Sequence, residues 1–285
     1  QLVYTYLREN TQELSVMIAT HPHDDHIGGL AAALNAVPVD VIYSPVTAWD
    51  TKSWTSLQKY ADAQGTPIVV PQEGDVFPLG SATVTVLHCW PDAWTDNDMS
   101  IVVRVDYGDT SFLFTGDAEA TSEYMMLDEG IHHADVLKVG HHGSRSSSTV
   151  EFIDAVSPTY AVISCGKGNS YGHPHEETLA ALAGSTILRT DLLGTIVFHS
   201  DGHALSFSEA IWTLAWSRIF AASSLACSLA CSTILSRADA ASLRMRVCSF
   251  LASSMIRSCS AERPRSFSSA SLACLMDSLI LSALS

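Results

Sequence analysis

Short apolar runs separated by polar turns punctuate the first two-thirds of the chain. Ser15–Ala19 (SVMIA) predicts a buried strand ending at Thr20, and His21–Gly29 predicts a polar, glycine-terminated loop. Helical spacing resumes over Leu30–Ala36, followed by a strand at Val39–Ser44, a helix at Ser53–Gln64 and a strand at Pro67–Val70. That strand–helix–strand order with short connections predicts an α/β layer arrangement. Runs rich in β-branched and aromatic residues come next, at Ala82–Leu87, Ser100–Val105 and Ser111–Thr115. The last two flank Asp106-Tyr107-Gly108-Asp109-Thr110, a hairpin signal. Asp135–Val139, Tyr160–Ser164 and Thr195–Ser200 read as further strands, and Val150–Val156 and Glu176–Leu182 as helices.

The pattern stops near residue 212, where the composition changes. Residues 1–212 hold all 16 glycines and all 12 histidines, with 27 acidic residues against eight basic ones, a charge of −19. Residues 213–285 contain no Gly, His or Lys, carry seven arginines against three acids, and 19 of the 73 are Ser. A globular segment of that length without glycine would need helices lacking left-handed caps. The division is therefore a catalytic-type domain over 1–212 and a Ser/Ala/Leu/Arg-rich tail over 213–285. The tail reads as non-native coding, from a frameshift or read-through, or as a poorly ordered helical appendage. A membrane anchor fits it least, since six of the 18 uncharged residues from Ile219 to Ser236 are Ser or Thr. Its five scattered cysteines suggest neither a zinc site nor a disulfide framework. Gln1 is not an initiator and no signal segment precedes the first motif, so a truncated N-terminus is expected.

The chemistry gathers where the predicted strands end. His21-Pro22-His23-Asp24-Asp25-His26-Ile27-Gly28-Gly29 is an HxHxDH pattern of imidazoles and carboxylates, which suit zinc, manganese or iron. Its first two histidines can face one ion, and Asp25 and His26 a second. Thr115-Gly116-Asp117 follows an apolar run; an Asp there can offer one oxygen to each of two metals, or cap a helix starting near Ala118. In Leu137-Lys138-Val139-Gly140-His141-His142-Gly143-Ser144, one histidine can ligate while the other moves a proton, and the sequence leaves open which. In Ser170-Tyr171-Gly172-His173-Pro174-His175-Glu176, His173 can bind metal, touch substrate or protonate a leaving group, while a helix-start turn is the plainer reading of His175. Ser144, Arg145 and Ser146 read as a turn more than as an oxyanion site. His88, His132 and His133 are expected at the surface or partly buried, and Cys89 and Cys165 are isolated. Gly166-Lys167-Gly168 lacks phosphate-loop spacing, so no nucleotide cofactor is expected.

Taken together, HPHDDHIGG, NDMSIVVRV, FLFTGDAE, ADVLKVGHHGS, NSYGHPH and RTDLLGTIVF, in that order, resemble the metallo-β-lactamase superfamily, and more closely its ComEC-like (competence, DNA-internalisation) hydrolase domains. The resemblance runs from Ser15 to about Phe198 and excludes the tail. It implies an α/β, four-layer αββα sandwich, here N-terminally truncated, because the strands that normally precede the histidine loop are mostly missing. It implies two divalent ions, Zn or Mn, with His21 and His23 on the first, Asp25 and His26 on the second, Asp117 bridging, and His141 or His142 completing the second site. Superfamily members commonly carry another histidine before the bridging Asp. The ComEC-like pattern puts Asn97 there instead, and His88 is not in a matching context.

The expected function is metal-dependent phosphodiester hydrolysis by a phosphodiesterase or nuclease using a metal-bridging hydroxide. Asp25, Lys138, His142 and His173 are the candidates for catalytic roles. The expected substrate is a phosphodiester such as single-stranded DNA, with a membrane channel in the full-length protein and a bacterial location at the membrane, otherwise the cytoplasm. A charge of −19 opposes binding of a polyanion, which ordinarily needs several Lys or Arg contacts. The alternatives are a carbon-centred hydrolase (lactonase, β-lactamase or thioesterase) on the same site and an inactive metal-binding remnant.

Overall fold

The computed structural model describes residues 2–210 and 279–281. Its first half runs α1 (Leu2–Asn10), β1 (Leu14–Ile18), α2 (Asp24–Ile27), α3 (Leu30–Ala36), β2 (Val39–Tyr43), α4 (Lys52–Gln64), β3 (Ile68–Val69), β4 (Val76–Leu79), β5 (Ala82–His88), β6 (Val102–Tyr107) and β7 (Thr110–Phe114). The second half adds α5 (Ala120–Asp128), β8 (Val136–Lys138), a 3-10 turn at Gly140–Gly143, α6 (Val150–Val156), β9 (Tyr160–Ile163), α7 (Glu176–Ala181), β10 (Thr186–Arg189), α8 (Thr190–Leu193), β11 (Thr195–Ser200), β12 (Leu205–Ala210) and β13 (Leu279–Leu281).

Two sheets carry the fold. One has the order β13-β1-β2-β3, with β1, β2 and β3 parallel and β13 antiparallel on the outer edge of β1. The other has the order β10-β9-β8-β7-β6-β5-β4, antiparallel from β4 to β7 and parallel from β7 to β10. Strand alternation explains why both faces are apolar. On β7, Phe112 and Phe114 enter the core between the sheets, while Leu113 faces the outer helices. Val103 and Val102 divide the same way on β6, as do Val162 and Ala161 on β9. On β1, Val16 and Ile18 turn toward the second sheet, and Met17 toward α1, α3 and α4. Three cores result, helix on sheet, sheet on sheet and sheet on helix, which is the αββα order.

The short elements are set by local chemistry. The Thr51 side chain accepts the Trp54 N–H to open α4, and Gly65 closes it at φ 73°. The hairpin between β6 and β7 turns at Gly108 (φ 57°), where a Cβ would collide with the carbonyl of Gly202. Within the stretch expected as a loop, α2 forms a single turn over Asp24–Ile27. No element was expected at α1, β4, β10, α8 or β12. The proposed reading of residues 213–285 lies outside the described residues apart from Leu279–Leu281, whose backbone pairs with β1. Among the described residues no helix is long and apolar enough to cross a membrane.

β7, β8 and β9 are parallel neighbours, so the loops leaving their C-terminal ends lie side by side along one sheet edge. The loop leaving β1 joins them through the Ile101 N–H, which donates to the Thr20 carbonyl at 2.8 Å. Loops at the carboxyl ends of parallel strands are where α/β proteins place their ligands.

Candidate metal centre

Three strand exits build the site. After β1, the Thr20 hydroxyl sits between His21 Nδ1 (3.3 Å) and His26 Nδ1 (3.4 Å), fixing two buried rings at once. After β7, Gly116 takes φ 53°, and a Cβ there would come within 2.8 Å of Ser100 Oγ. This close approach lets the Asp117 N–H donate to the same hydroxyl at 2.9 Å. After β8, the backbone is left-handed at both His141 (φ 44°) and His142 (φ 55°), a conformation that costs non-glycine residues about 1–3 kcal/mol each. Each imidazole is anchored through Nδ1: His142 on the Ser164 carbonyl (2.8 Å), His141 on Glu119 (3.1 Å) and Ser146 (3.1 Å). Both then present Nε2 toward Asp117.

Four imidazoles surround one oxygen of the buried Asp117. Its Oδ2 lies 3.2 Å from His26 Nε2, 3.5 Å from His142 Nε2, 3.8 Å from His141 Nε2 and 4.0 Å from His21 Nε2. Asp25 Oδ2 is 3.4 Å from His142 Nε2 and 3.8 Å from His26 Nε2. Ligands held about 2.0–2.2 Å from one tetrahedral ion stand roughly 3.3–3.6 Å from each other. The spacings among Asp25, His26, His142 and Asp117 are close to that edge length. Two overlapping groups, His21/His26/Asp117 and Asp25/His26/His142, bring their ligand atoms within 4.8 Å of one another. Asp117 Oδ1 is buried without a hydrogen bond among the described residues, with Lys138 Nζ 3.9 Å away. The donor set and this uncommitted carboxylate oxygen fit a pair of divalent ions.

The other candidates lie around this centre. His23, half-exposed, reaches His21 Nε2 through Nδ1 (3.1 Å) and Asp96 through Nε2 (3.3 Å). Asn97 donates to Glu119 (3.1 Å), and its Oδ1 is buried without a hydrogen bond among the described residues. Lys138 is buried beneath Asp117, its ammonium on the Gly116 carbonyl at 3.0 Å. The His173 ring stacks on that of His142 at a centroid distance of 6.3 Å and 17°. His175 instead accepts the Arg145 N–H at 3.1 Å, and Arg145 itself is exposed and paired with Glu177. His132 and His133 are exposed, whereas His88, expected at least partly exposed, is fully buried between Glu73 (2.9 Å) and Ser122 (3.1 Å). Thr20, Asp96, Ser100 and Glu119 were not foreseen; only the acids in TDND and FTGDAE hinted at two of them.

The electrostatics follow from crowding. Burial pushes the Asp117 carboxyl up, but the positive fields of His26 and His142 and the hydrogen bond from His26 outweigh it and hold it well below the usual range. At Asp25, burial is likewise overcome by the His142 hydrogen bond and the His26 charge, so the net direction is down. The hydrogen bond from His141 lowers Glu119 despite burial. His141 moves up, because Glu119 and Asp117 outweigh its burial. Burial, with His142 and His141 beside it, pushes His173 down to about 4, leaving it a neutral ring at neutral pH.

The αββα order and the clustered His/Asp ligands fit one superfamily, and the chain belongs to it: the metallo-beta-lactamase superfamily, whose profile matches residues 4–167. Members of that superfamily are metal-dependent hydrolases and typically hold two metals. The chain is 34% identical over 201 residues to ComE operon protein 3 of Bacillus subtilis, covering 69% of this chain and 26% of that protein. It is 42% identical over 107 residues to competence protein ComA of Neisseria gonorrhoeae, covering 36% of this chain and 16% of ComA. It is also 30% identical over 115 residues to ribonuclease J of Sinorhizobium meliloti, covering 39% of this chain and 19% of that enzyme. The chain thus spans about a quarter of the first relative and less than a fifth of the others.

Proposed function

We propose that this chain hydrolyses phosphodiesters, with nucleic acid as the natural substrate class, on a dinuclear centre. The observation that carries the reading is the pair of His/Asp groups meeting at Asp117 and His26. The ribonuclease J relative favours phosphorus over carbon as the reacting centre. In this reading His21, His23 and Asp117 would hold one divalent ion, zinc or manganese, with Asn97 a further candidate ligand. Asp25, His26 and His142 would hold the other, with Asp117 available to both. Such ions supply Lewis acidity toward the phosphoryl oxygens and acidify a water toward neutral pH.

The chain's own groups set up the rest. Lys138 fixes the Gly116–Asp117 turn from below, which makes it a positioning residue. A carboxylate at His141 Nδ1 stabilises the doubly protonated ring, so Nε2 can hand a proton to the leaving oxygen. The flat face of His173 lines the approach. The relatives' greater length leaves room for a membrane channel that delivers the strand to this acidic domain.

The test is metal content of the purified chain, then hydrolysis of bis(p-nitrophenyl) phosphate with Mn²⁺ or Zn²⁺. About two ions per chain with turnover is the expected result. Metal without turnover would point to a carbon-centred substrate, and no metal to an inactive remnant. Asp117→Ala should lower turnover by more than the roughly 100-fold that outer-shell changes already cost, with circular dichroism unchanged. Full activity in that variant would sink the mechanism.

A further inference from the structure

The geometry points to two nucleobase-stacking positions, Tyr171 against His173 and Trp94 on the loop that carries Asp96, through which the centre takes an unpaired strand. The inference rests on the phosphodiesterase reading and narrows its substrate class. Tyr171 is 76% exposed and Trp94 86% exposed, the two most exposed large apolar side chains among the described residues. A lone exposed aromatic means little, but these two sit on loops that also carry groups of the centre.

Tyr171 begins a ladder of nearly parallel rings. It lies against His173 at 5.6 Å and 23°, and His173 lies against His142 at 6.3 Å and 17°. The ladder therefore runs from solvent to a ring that touches both carboxylates of the centre. Trp94 stands two residues before Asp96, the partner of His23, and is backed by Trp90 at 5.7 Å. Both loops are tied down. Asn169 clamps His173 through its N–H (3.0 Å) and carbonyl (2.7 Å), and Thr95 donates to Asp98 (3.0 Å). The rings are thus presented by fixed backbone.

Charge explains why stacking would add affinity away from the reacting phosphate, which the ions themselves would hold. With 27 acids against eight bases over residues 1–212, the domain repels phosphate. Near the centre, Arg145 is paired with Glu177 and Lys138 is buried beneath Asp117. Base–aromatic stacking needs no cation and accepts every base. A duplex hides its base faces in the stack, so only an unpaired strand can use such a platform.

The test uses the full chain and two oligomers of equal length and phosphate number, oligothymidylate and its abasic counterpart. Wild type should cleave the thymidylate strand with a KM roughly 5- to 150-fold lower, the range expected for one stacked base. Tyr171→Ala and Trp94→Ala should shrink that ratio toward one, while Tyr171→Phe keeps it. Because both side chains are exposed, circular dichroism and metal content should be unchanged in all three. Tryptophan fluorescence quenching by the thymidylate strand, lost in Trp94→Ala, reads the platform without turnover. Equal KM values for both strands in wild type, or a ratio untouched by either alanine, would overturn the proposal. Cleavage of neither strand, with base-dependent quenching intact, would instead overturn the phosphodiesterase reading and leave a base-binding surface. Neither cleavage nor quenching would overturn both.

Discussion

Glu123 is a buried carboxylate that the proposed chemistry does not use. Its two oxygens accept the backbone N–H groups of Ser148 and Thr149 at 2.5 and 2.8 Å, joining α5 to the loop that follows the paired histidines. Burial raises its pKa, the two backbone bonds oppose it, and the net direction is up from 4.5. A carboxyl raised in the folded state contributes stability that is fully present below the unfolded value and is lost as pH rises through the folded one. Glu123→Gln does not titrate, so wild type should lose stability relative to it as pH climbs above about 4.5. Urea unfolding across pH 4–7 measures this, and a pH-independent difference would show that Glu123 is not desolvated. At this scale the sequence is a partial guide to the site. His21, His23, Asp25 and His26 stand out as candidates because their spacing is local, and three of them, His21, Asp25 and His26, fall in the clustered groups. Glu119 was not, because it meets His141 only after the loops following β7 and β8 are laid side by side. His88 misled in the other direction, since nothing in its neighbourhood signals that Glu73 and Ser122 will enclose it.

At the scale of elements, α6 ends on exposed Ser157 at φ 43°, whose N–H closes on the Ile153 carbonyl at 2.7 Å. A left-handed terminus suits glycine, and a side chain there costs about 1–2 kcal/mol before the extra unfolded-state entropy of glycine is set against it. Ser157→Gly should therefore stabilise the chain by up to about 1 kcal/mol, a rise in Tm of roughly 2–4 °C. The contact between the His133 imidazole Nδ1 and the Ser157 carbonyl survives the change. An unaltered or lower melting point would mean the helix does not end in this conformation. The same physics decides which elements could be read in advance. β1, β7, β8 and β9 are buried on both faces and appear as plain apolar runs. β4 is an edge strand interrupted by Pro78 and largely exposed, so its pattern is weak. α2 is a polar turn whose helical form serves to put Asp25 and His26 in place, and no hydrophobic period marks it.

At the scale of the molecule, the αββα order was legible through the motifs more than through periodicity, because short two-faced strands leave pairing order undetermined. The sheet order and the placement of β13 on the edge of β1 are supplied by the structure alone. The centre draws His21, Asp25 and His26 from the first sheet's side and Asp117, His141 and His142 from the second's. An ion shared by His26 and Asp117 would act as a cross-link that closes a loop of roughly 90 residues. By the chain-entropy account of disulfides such a closure is worth roughly 4–5 kcal/mol, and metal binding free energy adds to folding in the same way. Chelation should thus lower the melting temperature of wild type far more than that of Asp117→Ala, and equal shifts in differential scanning calorimetry would refute it. Inactivation by a chelator would then be the unfastening of two layers as much as the loss of a reagent.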